Sequence, residues 1–151
     1  MIAERLAELG IELPAVATPA GAYVPAVVTG SLVFTAGQVP FVDGALPATG
    51  KVGDGVSPEV AKDLARVCAL NALAAVAEVL GSLDRVTQIV KMTGFVASAS
   101  GFTGQPGVIN GASEVLGEIF GEAGKHARSA VGVAELPLGA PVEVELIVAF
   151  A

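Results

Sequence analysis

The side chain best suited to hold a small anion is Arg128, which lies in the run His126-Ala-Arg-Ser-Ala. If residues 128 to 134 form a β-strand, alternation brings a row of very small side chains onto the face of the arginine, namely Ala130, Gly132 and Ala134. A planar guanidinium with free space beside it matches the two oxygens of a carboxylate. The sequence therefore predicts a carboxylate site at Arg128, and the alternative interpretation is a structural ion pair with a neighbouring acid.

An acidic partner for this arginine lies on the next strand along the chain, where Val142-Glu-Val-Glu-Leu-Ile-Val alternates apolar and acidic residues. The alternation places Glu143 and Glu145 on the same face of that strand. An arginine and an acid so arranged can hold a small carboxylate-bearing molecule between them. Spacing does not decide which glutamate faces the site, and a salt bridge at the surface or between subunits is the alternative for both.

Three other polar or reactive residues have structural interpretations. His126 is the only histidine, and its offset from Arg128 puts it on the same strand face near the start of the strand. This position favours a structural or entry role over acid–base catalysis. Asn110 lies on the polar side of a short helix, where capping or an interface contact is favoured over catalysis. The single cysteine, Cys68, is surrounded by apolar helix residues and is expected to be a small buried side chain.

The elements that must position these residues alternate between strands and helices. The clearest is a helix that begins at Ser57-Pro58-Glu59, with serine as N-cap and proline in the first turn, and that Gly81 ends. An amphipathic helix opens the chain, and residues 43 to 57, rich in glycine, form a loop with a short edge strand near Phe41. The remaining predictions are strands at Tyr23–Val28, Ser31–Ala36, Asp84–Ser98, Arg128–Glu135 and Val142–Phe150, and a helix at Pro106–Gly121. This order predicts one α+β domain over residues 1–151, in which two helices cover one face of a mixed sheet.

The composition narrows the classes of partner. Apolar residues make up 53% of the 151 residues and charged residues 15%, with a mean hydropathy of +0.71. Such an apolar chain is expected to bury surface between subunits, which would cover the second face of the sheet. A formal charge of −7 argues against nucleic acid, and no apolar run reaches the length of a membrane span. One cysteine and one histidine cannot build the usual zinc sites, so we expect no metal. A single cysteine cannot form an internal disulfide, which fits a reducing, cytoplasmic setting.

A series of short motifs runs in a fixed order through nearly the whole chain. They are Gly21-Ala-Tyr23, Ala36-Gly-Gln-Val-Pro40, Ile89-Val-Lys-Met-Thr93, Asn110, Ala127-Arg-Ser129, Leu136-Pro137 and Val142-Glu-Val-Glu145. Each motif is weak alone, but together they resemble those of the RidA (YjgF) family of reactive-intermediate deaminases. The resemblance implies a chorismate-mutase-like fold, a homotrimer and a ligand cleft at each subunit interface. It also implies that the protein hydrolyses enamines and imines to 2-keto acids and ammonia without any cofactor.

The same resemblance implies roles for particular residues. Arg128 would bind the substrate carboxylate, and Glu143 would lie near the reacting water, facing the cleft of Arg128 from the neighbouring strand or from an adjacent subunit. Tyr23 would line the cleft, Gly37 would allow a close approach of the backbone, and Ala130 would lie in the pocket two residues after the arginine.

Departures from the family pattern point to a divergent subgroup. Ala36 replaces a typical serine and Ala130 a typical cysteine, so a hydroxyl and a thiol are missing from the expected pocket.

An imine deaminase is the favoured function, and a trimer that binds small carboxylates without turnover, or regulates a partner, is the alternative. An endoribonuclease is disfavoured because the charge is wrong for RNA and there is no pair of histidines. The physiological substrate and pathway do not follow from the sequence.

Overall fold

The computed structural model describes every residue from Met1 to Ala151. Five strands form the main sheet in the order β1-β2-β7-β5-β6, with β6 parallel to β5 and all other neighbours antiparallel. The sheet is therefore mixed, as predicted. The strands are β1 (Ala26–Thr29), β2 (Leu32–Thr35), β5 (Val86–Ala97), β6 (Ala127–Val133) and β7 (Val142–Phe150), and the helices are α1 (Ile2–Glu8), α2 (Pro58–Leu80) and α3 (Gln105–Phe120).

Helices α2 and α3 cover one face of the sheet, which confirms the predicted two-layer α+β arrangement. Buried side chains from both helices and from β2, β5 and β7 form a single hydrophobic core. Ser57 caps α2 by accepting a hydrogen bond from the amide of Val60 at 3.1 Å, and Gly81 ends the helix with φ of 80°. Cys68 is fully buried in this core, as predicted, and burial raises the pKa of its thiol.

Close glycine contacts fix α3 against its neighbours. A side chain at Gly111 would clash with the backbone carbonyl of Lys62 on α2, so the two helices can pack this closely only without one. A side chain at Gly94 on β5 would come within 2.6 Å of side-chain atoms of Ile109 on α3. The helix that lies beside β6 is therefore held from two sides.

Several predicted boundaries are wrong by two to three residues. The first strand begins at Ala26, not at Tyr23, because the chain bends at residues 20 to 23 and then carries Pro25, which has no amide proton for a sheet hydrogen bond. Strand β6 ends at Val133, two residues before the predicted Glu135. The expected loop contains two short parallel strands, β3 (Lys51–Val52) and β4 (Gly55–Val56).

The predicted edge strand near Phe41 is instead a tight hairpin. Val42 and Ala45 exchange two backbone hydrogen bonds around Asp43 and Gly44, which both have positive φ. Two central residues of this conformation are the mark of a primed two-residue turn.

The face of the sheet opposite the helices exposes apolar side chains. Val27 is 53% exposed, Phe34 41% and Val131 42%. Val27 and Phe34 are register partners on β1 and β2, so they lie side by side on this open face. No helix of the chain is both long and apolar enough to cross a lipid bilayer.

Candidate functional site

Arg128 lies on β6, the strand at the edge of the sheet, and its side chain points to the helix face. Its register partner on β5 is Met92, which is fully buried beneath the helices. The guanidinium reaches α3, where Nη1 donates to Asn110 Oδ1 at 2.8 Å and to Ser113 Oγ at 3.1 Å. Nη2 donates to the backbone oxygen of Pro106 at 3.3 Å. No acid pairs with Arg128, so the structural ion pair considered from the sequence is absent from this chain.

His126 joins the same polar group from the start of β6. Its Nδ1 lies 2.7 Å from the oxygen of Gly124, and its Nε2 lies 3.0 Å from Ser113 Oγ. His126 and Arg128 therefore share one face of the chain, as predicted, and they meet at the same serine. Asn110, expected to be a cap or an interface residue, contacts the arginine directly.

Two of the small residues that follow Arg128 pack closely on the helix side of the sheet. A side chain at Gly132 would come within 2.8 Å of Gln105 Nε2 and 2.9 Å of Ser98 Oγ, so a larger residue there would displace these two polar groups. Ala130 is half-buried and packs against the core. Gly132 therefore leaves space for the amide of Gln105 from α3, while Ala134 falls beyond the end of the strand.

Glu143 lies on β7 and points to the open face of the sheet. Its neighbours Val142 and Val144 are fully buried under the helices, so alternation turns Glu143 away from them. Its carboxylate rests against the backbone of Gly37, in the space that a side chain at residue 37 would occupy. The close approach expected at Gly37 is thus an approach to the carboxylate of Glu143.

Tyr23, Gly37 and Glu143 line one cavity of about 70 Å³, walled also by Pro25, Phe41 and Leu138. The hydroxyl of Tyr23 accepts a hydrogen bond from the amide of Ala20 at 3.3 Å, and the residue is 51% exposed. Two larger cavities, of about 410 and 450 Å³, lie between residues 12 to 18 and the turn at residues 41 to 44, and they contain none of the predicted site residues. Only the small cavity combines an acid, a phenol and a glycine-lined wall.

The pKa of Glu143 is raised, first because burial disfavours the charged carboxylate and second because Glu145 adds a like charge nearby. A carboxyl with a raised pKa holds its proton closer to neutral pH than an exposed glutamate does. It is therefore better able to both take and return a proton during a reaction.

The raised pKa gives a stability prediction. Burying the charged carboxylate of Glu143 lowers the free energy of unfolding. This loss of stability is absent at pH values below the pKa of the glutamate in the unfolded chain, and it is complete at pH values above its raised pKa in the folded chain. We therefore expect Glu143→Gln to melt at a higher temperature than the wild type at pH 7, and the difference to shrink as the pH falls towards about 4. Circular dichroism melts at a series of pH values measure this, with Glu78→Gln on the exposed side of α2 as control. A difference that is the same at every pH, or a variant less stable at neutral pH, would contradict it.

Within one chain, Arg128 and Glu143 do not meet. Strand β5 lies between β6 and β7, and the two side chains leave opposite faces of the sheet. The expectation that Glu143 faces the arginine from the neighbouring strand is therefore wrong, which leaves an adjacent subunit as the other predicted arrangement. The chain thus presents a basic half-site at Arg128 on the helix face. Its acidic half-site is the cavity lined by Glu143, Tyr23 and Gly37 on the open face.

Ser113, which accepts from Arg128 beside Asn110, is a contact of the arginine that was not predicted from the sequence. It lies three residues after Asn110 on α3, and residues three apart lie on the same side of a helix. The signal was present, because one face of this helix carries two polar side chains opposite an arginine strand. No three His, Cys, Asp or Glu side chains come close enough together to hold a metal ion.

Comparison with known proteins agrees with the motifs. The family described as "YjgF/chorismate_mutase-like, putative endoribonuclease" matches residues 3–150. Protein TCP17 of Trypanosoma cruzi is 45% identical over 148 residues, which cover 97% of this chain and 92% of TCP17. The 2-iminobutanoate/2-iminopropanoate deaminase of Salmonella typhimurium is 37% identical over 129 residues, which cover 84% of this chain and 86% of the deaminase.

Solved structures give the same result. The crystal structure of Atu1372 from Agrobacterium tumefaciens has a TM-score of 0.91 and 43% identity, covering 99% of this chain and 92% of Atu1372. Escherichia coli TdcF with bound serine has a TM-score of 0.66 and 28% identity, covering 92% of this chain and 94% of TdcF. The match over nearly the whole length, in sequence and in fold, shows that the chain belongs to the YjgF (RidA) family with its chorismate-mutase-like fold.

Proposed function

We propose that this protein hydrolyses 2-imino acids, and the 2-enamine acids that convert into them, to 2-keto acids and ammonia. The site combines Arg128 of one subunit with Glu143, Tyr23 and Gly37 of the next. The observation that carries the proposal is that the guanidinium of Arg128 donates three hydrogen bonds to uncharged groups and pairs with no acid of its own chain. Such an arginine has a charge and free N–H groups for a carboxylate from outside the chain. Relatives named as deaminases of this chemistry support the same conclusion.

The basic and acidic half-sites together provide the groups that hydrolysis of a 2-imino acid needs. The guanidinium binds the substrate carboxylate and fixes the imine carbon beside the acidic half-site. Glu143 takes a proton from water as the water oxygen bonds to the imine carbon, and it returns this proton to the imine nitrogen, which gives a carbinolamine. Glu143 then carries the hydroxyl proton of the carbinolamine to the nitrogen as the C–N bond breaks, which leaves the keto acid and ammonia. The raised pKa of Glu143 suits both transfers.

The proposal needs an assembly that brings the two faces together, and a homotrimer is the arrangement we propose. The open face exposes Val27 and Phe34 beside one another, and Val131 lies on the edge strand. Burying these side chains against another copy would remove apolar surface from water. The serine bound by TdcF is a small molecule with a carboxylate, which is the ligand chemistry proposed for Arg128.

A second candidate function is carboxylate binding without turnover. Ala36 and Ala130 stand where the family pattern has a serine and a cysteine, so the pocket has fewer polar groups to position water or a leaving amine. Ammonia release from 2-aminoacrylate made in situ by an amino-acid dehydratase separates the two functions. Release faster than the spontaneous rate supports the deaminase, and a rate equal to the spontaneous one, with pyruvate still bound, supports the binding protein.

A mixed assembly tests whether the site is shared between subunits. Arg128→Ala and Glu143→Gln chains are each expected to be inactive. If they are unfolded together and refolded together in equal amounts, about a quarter of the interfaces should pair an intact Arg128 with an intact Glu143. We therefore expect about a quarter of the wild-type activity to return, with light scattering giving about three times the chain mass of 14.9 kDa. Mixed trimers with no activity would contradict a shared site, and a monomeric wild type would contradict the assembly.

A further inference from the structure

We propose that Ser113 and His126 are positioning residues, which hold the guanidinium of Arg128 in the orientation that binds the substrate carboxylate. The inference rests on the proposed function of Arg128 and assigns a role to two residues beyond it. Neither residue touches the substrate in this role. They act through a chain of hydrogen bonds that runs from the backbone of Gly124 to the arginine.

The direction of each hydrogen bond in this chain follows from its acceptors. The oxygen of Gly124 can only accept, so Nδ1 of His126, 2.7 Å away, carries the proton. In the neutral imidazole Nε2 is then an acceptor, and it receives the hydroxyl proton of Ser113 over 3.0 Å. The hydroxyl thus turns a lone pair, and not its proton, towards Nη1 of Arg128 at 3.1 Å. The hydrogen bond to His126 thereby holds the hydroxyl proton of Ser113 away from Arg128, so that the serine oxygen accepts from Nη1 in a fixed direction.

The contacts of Arg128 leave a defined part of the guanidinium free. Nη1 has two hydrogens, and these go to Asn110 and Ser113. Nη2 uses one hydrogen on the oxygen of Pro106. The Nε–H and one N–H of Nη2 make no contact within the chain, and these two nitrogens form one edge of the planar group. Two donors on one edge are the arrangement that binds both oxygens of a carboxylate.

Close packing fixes the positions of Gly124 and Ser113, the two residues that His126 bridges. Gly124 is buried, and a side chain there would clash with the backbone oxygen of Leu116 on α3. Ser113 belongs to the same helix, which Gly111 holds tightly against α2. The distance between the Gly124 oxygen and the serine is therefore set by backbone packing, and His126 has the length to bridge it.

Loss of the histidine should weaken carboxylate binding without removing it. A Ser113 hydroxyl with no acceptor at His126 is free to rotate, so its oxygen holds the arginine in a less fixed direction. The guanidinium then gains orientations that a ligand must suppress when it binds. Immobilising one such side chain corresponds to an affinity change of about 3- to 10-fold.

The test uses three variants of the assembled protein and the Kd of pyruvate measured by calorimetry. His126→Leu fills the space of the ring but has no acceptor, and we expect its Kd to rise about 3- to 10-fold. His126→Gln can place an amide oxygen near the position of Nε2, and we expect it to recover most of the affinity. Ser113→Ala should match His126→Leu, and the double variant should be no weaker than either single one, because both remove the same restraint. Lys125→Gln, an exposed neighbour outside the hydrogen-bond chain, is the control for general charge effects.

The outcomes separate this inference from the proposed function. If Arg128→Ala loses pyruvate binding while His126→Leu and Ser113→Ala keep wild-type affinity, the positioning role is wrong and the arginine site stands. A glutamine variant as weak as the leucine variant, or effects that add in the double variant, would also overturn it. If Arg128→Ala itself binds pyruvate as well as the wild type, the proposed function fails first.

Discussion

Replacing Arg128 by alanine is expected to abolish measurable binding of pyruvate and similar small carboxylates. The guanidinium is half-buried beside α3 and has no acidic partner in the chain, so its charge is available to a ligand. Loss of a hydrogen-bonded charge contact of this kind costs about 2 to 5 kcal/mol, a weakening of roughly 30- to 4,000-fold. Calorimetric titration with pyruvate measures the effect, and light scattering checks that the assembly is intact.

Arg128→Lys is the matched variant for this test. Lysine keeps the positive charge but cannot contact Asn110, Ser113 and Pro106 in the same plane while offering two further donors to a carboxylate. We expect lysine to recover only a small part of the affinity. Full recovery would mean that charge alone binds the ligand, and unchanged affinity in the alanine variant would place the ligand site elsewhere.

The second large effect concerns the reaction and not binding. We expect Glu143→Gln to lower imine hydrolysis by roughly 100-fold or more while the Kd of pyruvate stays within a few-fold of the wild type. Glutamine keeps the size of the side chain beside Gly37 but cannot take a proton from water. Imino acids made in situ by an amino-acid oxidase provide the substrate, and the release of ammonia gives the rate.

Glu145→Gln is the control that decides between the two glutamates of this strand face. Glu145 is not among the residues that line the cavity, and its charge contributes to the raised pKa of Glu143. We expect this variant to stay active, with the acid limb of its pH–rate profile moved to lower pH. A larger loss in Glu145→Gln than in Glu143→Gln would assign the acid role to Glu145. Equal rates for wild type and Glu143→Gln would mean that binding at Arg128 suffices for the reaction.

The elements were predictable where local chemistry defines them. The cap at Ser57 and the stop at Gly81 placed helix α2, because both act within a few residues of the helix ends. The shared face of His126 and Arg128 followed from strand alternation in the same way. In contrast, the insertion of β5 between β6 and β7 depends on pairing between strands far apart in the chain. No local pattern encodes that pairing, so the sequence left open whether Glu143 faces Arg128 from the neighbouring strand or from an adjacent subunit.

The site was predictable in its residue types more than in its geometry. Of the predicted site residues, Glu143, Tyr23 and Gly37 line one cavity, and Arg128 lies apart from them beside α3. Their division between two faces was not foreseen, because a motif gives residue order and not the face of a sheet. Ser113 was not predicted, although its spacing of three residues from Asn110 places both on the same side of α3, because the spacing does not show that this side contacts Arg128.

The contact between Gly37 and Glu143 bears on how such proteins can diverge. The carboxylate occupies the space that one methyl group at residue 37 would need, and it is the flexible end of its side chain. An alanine at residue 37 would therefore be accommodated by moving the acid, at little cost to the fold. Arg128 lies on the other face of the sheet and would be unaffected. Under the proposed function, a single small mutation can thus produce a descendant that keeps its ligand and its fold but has lost the hydrolytic activity.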